Sequence, residues 1–171
     1  MKNKQYLLDS NSFIAPYKTF YPFDFAEAFW KQLRIRIDEK QLLVLDIVKE
    51  EVVKGKDELS QWIKEIDNTL IIKRKEATIV RRYSEVLDYV QRCGYYKEKA
   101  LREWAEADVA DPWLIATASI YGYIVVTQEK SSGTLSVKNQ QRKALIPDVC
   151  EHFGVECQDL FYMMRDTGFK L

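Results

Sequence analysis

The sequence predicts an α/β fold, a three-layer α/β/α domain around a central parallel sheet. Two observations lead to this prediction. Short apolar runs typical of buried strands alternate along the chain with stretches of helical periodicity, and this alternation favours parallel strands joined by helices. The run 123–127 (YIVVT) is apolar up to its final threonine, which is typical of a parallel strand covered on both faces.

The first half of the chain predicts two strands and two helices. A buried strand at 6–8 ends at Asp9 and passes into a turn, followed by a loop between two prolines. Asp24 is the candidate N-cap of the next helix. Apolar residues recur there every four positions, at Phe25, Phe29, Leu33 and Ile37. A second strand at 42–45 leads to a helix that Asp46 caps and that ends at Gly55.

The middle of the chain is mainly helical. Apolar periodicity predicts helices over 59–66 and 79–90, and a shorter helix over 97–106. The pattern at 68–72 is ambiguous between helix and strand.

The second half contains the clearest helix and strand. The run 111–122 has proline at its second position, glycine at its end, and apolar or small residues on nearly all sides, which predicts a buried central helix. The strand 123–127 follows at once, and 131–141 is polar enough for a loop. The remainder predicts a helix from Val149, a short strand at Val155, and a last helix through Leu160, Phe161 and Met164.

Length and composition limit the class of protein. The 171 residues predict a single domain over 1–171, because domains average roughly 150 residues. A hydrophobic content of 47% supplies a core and argues against disorder. Lys and Arg total 26, as do Asp and Glu, which excludes a strongly cationic nucleic-acid coat but not local basic patches.

The N-terminal sequence and the cysteines indicate in which compartment we expect the protein. No apolar run approaches the roughly 20 residues that a membrane helix needs, and the N-terminal residues do not resemble a signal peptide. The three cysteines lack a C-x-x-C pair, which fits free thiols in a reducing compartment. We therefore expect a cytoplasmic protein in which Cys150 and Cys157 are buried thiols.

Four acidic residues stand beside the ends of predicted elements: Asp9, Glu51, Asp111 and Glu129. Ligands of parallel sheets bind at the carboxyl ends of the strands, where Asp9 lies. Carboxylate oxygens suit Mg²⁺ or Mn²⁺, and a single histidine excludes a histidine-rich site. The four acids therefore predict a metal site.

Each acid also has a purely structural explanation. Asp9 can cap a turn with its polar neighbours, and Asp111 before Pro112 is a good helix N-cap. Glu51 taken alone is a solvated helix acid, and Glu129 a loop acid. Only their joint arrangement favours a metal site.

The order and spacing of four segments resemble a PIN domain over nearly the whole chain: 6–11 (YLLDSN), 48–52 (VKEEV), 111–118 (DPWLIATA) and 125–129 (VVTQE). The ending, with IPDVC at 146–150 and VEC at 155–157, is similar to an uncharacterised bacterial PIN subfamily related to VapC-type toxins.

The resemblance implies a Mg²⁺- or Mn²⁺-dependent ribonuclease that hydrolyses RNA phosphodiester bonds. Asp9, Glu51 and Asp111 match the first three acids of the family and would bind the metal, and Glu129 matches its variable fourth acid. Asn11 and Thr127 would support them. The expected partners are RNA and an antitoxin protein, and a homodimer is a further expectation. Candidate phosphate contacts are Lys54, Lys73, Arg74, Lys138 and Arg142, each of which can equally lie on a solvated helix face.

Two departures from the PIN pattern matter. The last motif of the family usually reads Thr-Asn-Asp, whereas Gln128 and Glu129 stand here, so the fourth acid is one methylene longer. Glu50 and Glu51 are adjacent and point about 100° apart on a helix, and the flanking valines favour Glu51 as the inward residue. The alternative function is a catalytically weak PIN-fold module that binds RNA or a protein. A haloacid-dehalogenase phosphatase is disfavoured, because Asn11 stands where that family has a second aspartate.

Overall fold

The computed structural model describes residues 4–171, and its core is a sheet of five parallel strands in the order β3-β2-β1-β4-β5. Leu7 at the centre is in register with Leu43 on β2 and with Val125 on β4. The strands are short and mostly buried: β1 Tyr6–Leu8, β2 Leu42–Leu45, β3 Ile71–Ile72, β4 Ile124–Val126 and β5 Cys157–Gln158. The predicted parallel sheet is confirmed.

Helices cover this sheet and complete the three-layer α/β/α architecture that the sequence predicts. Those preceding β4 are α1 Asn11–Ala15, α2 Glu27–Asp38, α3 Asp46–Val53, α4 Glu58–Lys64, α5 Ala77–Arg92, α6 Glu98–Trp104 and α7 Asp111–Tyr121. Two follow it, α8 Ile146–His152 and α9 Leu160–Asp166. Among the described residues, no helix has the length and apolarity needed to span a membrane.

The strand order has a switch point between β1 and β4. The chain passes from β1 to β2 on one side and returns to the sheet through β4 on the other. Ligands of open α/β sheets bind at such a switch point, beyond the carboxyl ends of the strands. Asp9 and Thr127 directly follow β1 and β4, so the backbone brings them to the same edge.

Helix α7 is buried as predicted. Pro112 occupies the first turn, where a missing N–H costs nothing, and Gly122 ends the helix with a φ of 75°, which glycine adopts without strain. Trp113 stacks on Tyr83 of α5 with ring centroids 3.7 Å apart. This packing fixes the start of α7, and with it Asp111, beside the sheet edge.

The segment after β1 is helical rather than a turn and loop. Ile14 N–H donates to Ser10 O at 3.0 Å, and Tyr21 N–H to Pro16 O at 2.7 Å. Helix α1 therefore continues into a π-helical turn, Pro16–Phe20. The turn-forming side chains of this segment predict a turn and a loop, but burial of Phe13 favours the helix.

Four smaller predictions about element boundaries are wrong. Asp24 caps no helix: α2 starts at Glu27, and Phe25 is 74% exposed. Asp46 is the first residue of α3 rather than its N-cap. The strand predicted at Val155 lies two residues later, as β5, and α8 begins three residues before Val149.

The ambiguous segment 68–72 forms a 3₁₀ turn, Asn68–Leu70, followed by β3. The three cysteines are free, as expected. Cys150 is buried, whereas Cys157 is partly exposed, so the prediction of two buried thiols holds only for the first.

Candidate metal centre

Asp9 is the buried carboxylate at the centre of the candidate site, with 3% of its surface exposed. Its N–H donates to Val126 O at 3.0 Å, which ties the end of β1 to β4. The hydroxyls of Thr127 and Ser10 donate to its two carboxylate oxygens at 3.1 and 3.2 Å. Burial raises the pKa of Asp9, and these hydrogen bonds partly oppose the rise. The side chain is therefore held in one orientation.

Asp111 has a pKa far above the ordinary value of an aspartate. Burial, followed by the charges of Asp9, Glu129 and Glu51, raises its pKa to about 8. In the described part of the chain, no other side chain donates a hydrogen bond to its carboxylate. The four acids named from the sequence thus lie within electrostatic reach of one another, and the raised pKa of Asp111 shows that its carboxylate is stabilised by a cation or a proton.

The structure distinguishes the two adjacent glutamates of α3. Glu51 is half-buried, and burial followed by the charge of Asp9 raises its pKa, while Ser10 opposes the rise. Glu50 is exposed and pairs with Arg74 at 3.0 Å. Glu51 therefore faces the candidate site, the orientation that the sequence favoured.

Ser10 is a site residue that sequence reasoning missed. Its hydroxyl donates to Asp9 Oδ1 at 3.2 Å, and it lowers the pKa of Glu51 on α3. A serine directly after a strand-end aspartate was the available signal, but turn formation explains that pattern equally well.

Glu129 has a structural partner as well as a place in the acidic group. Its carboxylate accepts a hydrogen bond of 2.7 Å from the N–H of Ile146, the first residue of α8. Its own N–H donates to Thr127 Oγ1 at 3.2 Å. Burial raises the pKa of Glu129, while the bond from Ile146 opposes the rise. Glu129 therefore caps α8, and its negative charge helps to raise the pKa of Asp111.

The acids do not form a complete metal-ligand set. Over residues 4–171, no group of three or more Asp, Glu, His or Cys side chains could hold a metal ion as placed. Their chemistry nevertheless fits Mg²⁺ or Mn²⁺, because every donor is an oxygen and the mutual charge repulsion would be relieved by a cation. To hold such an ion, Asp9, Glu51 and Asp111 would have to move closer together than they lie here.

The other predicted residues differ in their exposure and in the ion pairs that they form. Asn11 is exposed at the start of α1, and its backbone lowers the pKa of Asp9. Lys54 pairs with Asp108 at 2.9 Å, and Arg74 pairs with Asp46 at 2.9 Å as well as with Glu50. The remaining cations are exposed and form no ion pair with any described residue: Lys73, Lys138 and Arg142.

Substitution of Thr127 by valine should weaken Mn²⁺ binding by about 10- to 100-fold, a typical cost of losing a group that orients a metal ligand. The hydroxyl that fixes Asp9 Oδ2 would be lost with little change in side-chain shape. Calorimetric titration with Mn²⁺ measures the effect. Thr117→Val is a matched control, because the buried Thr117 hydroxyl has no hydrogen-bond partner in the described structure. Equal Mn²⁺ affinities for the two variants would contradict the orienting role.

Comparison with known proteins provides the family and the fold. No curated protein matches the chain. Among solved structures, a chain of VapBC2 from Rickettsia felis, bound to a DNA fragment from their promoter, matches with a TM-score of 0.50 and 14% identity. The match covers 90% of this chain and 97% of that chain, and at this identity it supports the fold alone. The model of a family described as a domain of unknown function, DUF4411, matches residues 6–171, so the chain belongs to the DUF4411 family.

Proposed function

We propose that the chain is a Mg²⁺- or Mn²⁺-dependent ribonuclease of PIN type, and the toxin of a toxin–antitoxin pair. The main support is the pKa of Asp111, which burial and three neighbouring carboxylates raise to about 8 at the carboxyl ends of β1 and β4. Strongly perturbed acids at such an edge are typical of functional sites. The fold shared with a VapBC2 chain adds support for the class of protein.

Asp9, Glu51 and Asp111 would hold the ion, and the hydroxyls of Ser10 and Thr127 would orient Asp9. A divalent cation bound there supplies Lewis acidity, which lowers the pKa of water and neutralises charge on a phosphate. Water would be the nucleophile, so hydrolysis would require no covalent enzyme intermediate.

The RNA substrate needs cations close to this acidic edge. Lys73, Lys138 and Arg142 are exposed and unengaged in ion pairs among the described residues, so they are the better candidates for phosphate contact. Lys54 and Arg74 would first have to leave their carboxylate partners. RNA binding should therefore weaken as salt concentration rises.

The partner proposal rests on the structural likeness. The matching structure is of VapBC2 on promoter DNA. By analogy, we propose that an antitoxin binds this chain and covers its acidic edge, and that the chain forms a homodimer. Co-expression with the product of an adjacent gene, followed by size-exclusion chromatography, would test both.

Two observations favour the alternative function, a module that binds RNA or a protein with little catalysis. The Glu129 carboxylate is bonded to Ile146 N–H, and no group of three potential ligands is assembled within residues 4–171. Incubation of the purified protein with structured RNAs in Mn²⁺, Mg²⁺ or EDTA separates the two functions. Metal-dependent cleavage supports the ribonuclease, whereas RNA retention without cleavage by a metal-loaded protein supports the module.

Saturating Mn²⁺ should raise the melting temperature of the protein, because the ion relieves repulsion between acids that exists only in the folded state. At about 100 times the dissociation constant, binding adds about 2.7 kcal/mol, or roughly 5–10 °C for a chain of this size. Differential scanning fluorimetry measures the shift.

The adjacent glutamates provide a matched control for this experiment. Glu51→Gln should lose most of the Mn²⁺-induced shift, whereas Glu50→Gln should retain it, because only Glu51 faces the acidic group. An unchanged wild-type melting temperature across millimolar Mn²⁺, or equal shifts in both variants, would count against the proposed metal ligands.

A further inference from the structure

The loop that connects β4 with α8 is strongly basic, although acidic and basic residues are equally numerous in the whole chain. Residues 130–143, the basic loop, contain no aspartate or glutamate. They carry four cations, all of them exposed and none in an ion pair with a described residue: Lys130, Lys138, Arg142 and Lys143. Positive charge that no carboxylate neutralises attracts polyanions.

Both ends of the basic loop lie beside the acidic group. Lys130 directly follows Glu129. At the other end, Lys143 stands three residues before Ile146, whose N–H donates to the Glu129 carboxylate at 2.7 Å. Three residues of chain span at most about 11 Å. The basic loop therefore begins and ends close to the site that would cleave a phosphodiester.

Asp148 on α8 fixes the start of the basic loop. It is 5% exposed, and its carboxylate accepts hydrogen bonds from Ser131 Oγ at 2.5 Å, from Ser132 Oγ at 2.6 Å and from Ser132 N–H at 3.2 Å. Within residues 4–171, no cation pairs with it. A buried carboxylate without a cation is costly unless hydrogen bonds compensate it, and the two serines of the basic loop supply those bonds.

The far end of the basic loop is fixed by backbone pairing. Gln141 N–H donates to Tyr95 O at 2.8 Å, and its carbonyl accepts from Lys97 N–H at 2.9 Å. Between the two attachments, Leu135 packs against the core. The exposed cations are thus carried by a loop that is fixed at both ends and in the middle.

We propose that the basic loop is an RNA-binding surface of the chain, and that Asp148 is the positioning residue that holds this surface beside the acidic group. The inference rests on the proposed function in taking RNA as the ligand. A loop that is ordered before binding loses less conformational entropy when it meets the RNA, so its cations contribute more to affinity. Asp148 itself is buried and acts through Ser131 and Ser132.

Removal of the two serine hydroxyls tests this role without a change in α8. Ser131→Ala and Ser132→Ala are combined in one variant, and both serines are exposed. Fluorescence anisotropy with a labelled single-stranded RNA in EDTA measures binding without metal-dependent cleavage. We expect the affinity of this combined serine variant to fall about 10-fold and its salt dependence to become shallower, because fewer phosphates are neutralised. Asp148→Asn should have the same effect.

Two controls accompany the combined serine variant. Ser131→Thr together with Ser132→Thr keeps both hydroxyls and should bind RNA like the wild type. Asp67→Asn weakens another carboxylate that accepts a backbone hydrogen bond, from Thr69 N–H at 2.8 Å. Asp67 precedes β3 and so lies at the amino ends of the strands, away from the acidic group. Its replacement should leave RNA affinity unchanged.

A double-mutant cycle separates positioning from a purely structural role. In the wild type, Lys138→Gln should weaken RNA binding and lower the salt slope by about one. In the combined serine variant the same substitution should have a smaller effect, because Lys138 is no longer held in place. A purely structural role of Asp148 predicts the same effect of Lys138→Gln in both backgrounds, and that result would overturn the positioning role.

The outcomes also distinguish this inference from the proposed function. If the wild type cleaves RNA with Mn²⁺ but the combined serine variant binds RNA equally well, the basic loop is not the binding surface and the ribonuclease stands. If RNA binding depends on the two serines but no cleavage occurs, the basic loop is supported and the ribonuclease is contradicted. The Mn²⁺-induced rise in melting temperature should be the same in the wild type and the combined serine variant, because the metal ligands are untouched.

Discussion

Asp111→Asn is expected to reduce metal-dependent RNA cleavage by about 1,000-fold, the equivalent of about 4 kcal/mol of lost transition-state stabilisation. Asparagine keeps the shape of the side chain but removes the charge. Asp111 is the acid on which the charges of Asp9, Glu129 and Glu51 converge. Its neutralisation should therefore lower both the affinity for the ion and the ability of the site to offset negative charge on a phosphate.

The assay compares wild type and variant on a pool of structured RNAs in Mn²⁺, Mg²⁺ and EDTA. A contaminating nuclease would not follow the substitution. Asp24→Asn is the matched control, because Asp24 is exposed and lies before α2, outside the acidic group. Cleavage that survives in Asp111→Asn, or that EDTA does not stop, would refute the proposed site.

The parallel sheet could be predicted because burial leaves a direct mark on sequence. β2 and β4 are short continuous apolar runs, since helices cover both faces of the sheet. The helical segment 11–20 could not be predicted in the same way. Its side chains favour turns, and Pro16 together with the following Pro22 suggests a loop, while the decisive factors are burial of Phe13 and a π-helical turn.

The candidate site, like the fold, could be predicted from the sequence only in part. Asp9 at a predicted strand end and Asp111 at a predicted helix start could be assigned to one site, because the carboxyl ends of parallel strands lie at the same side of the sheet. The bond from Ile146 N–H to Glu129 joins residues 17 positions apart, and the position of Ser10 beside Glu51 depends on how α3 packs against the end of β1. Such contacts are set by tertiary packing and have no local pattern.

Metal-free protein should lose stability as the pH rises from about 4 to 8. In the unfolded chain Asp111 titrates near its ordinary pKa of 3.8, and in the folded protein its pKa is about 8. Below pH 3.8 both states are protonated and Asp111 contributes nothing. Between the two values the unfolded state releases the proton while the folded state keeps it, so unfolding becomes easier with each pH unit. Above pH 8 the effect is constant.

The size of this effect is about 6 kcal/mol at most, because each unit of pKa shift corresponds to roughly 1.4 kcal/mol. The raised pKa values of Asp9, Glu51 and Glu129 act in the same direction. Urea denaturation in EDTA between pH 5 and pH 8.5 measures it. Asp111→Asn should show a flatter pH profile and be more stable than wild type at pH 8.5, whereas Asp24→Asn should follow the wild type. Parallel profiles for wild type and Asp111→Asn would show that Asp111 is not electrostatically strained.

The RNA cleavage by Asp111→Asn and the pH dependence of its stability together would distinguish a functional role of Asp111 from a structural one. If Asp111 only capped α7, its replacement would lower stability by about 1 kcal/mol, and any loss of cleavage would follow from a weakened fold. The charges around Asp111 predict the opposite combination, in which one substitution abolishes cleavage and stabilises the metal-free protein. That combination is expected where a site accepts electrostatic strain in the folded state in order to bind a cation.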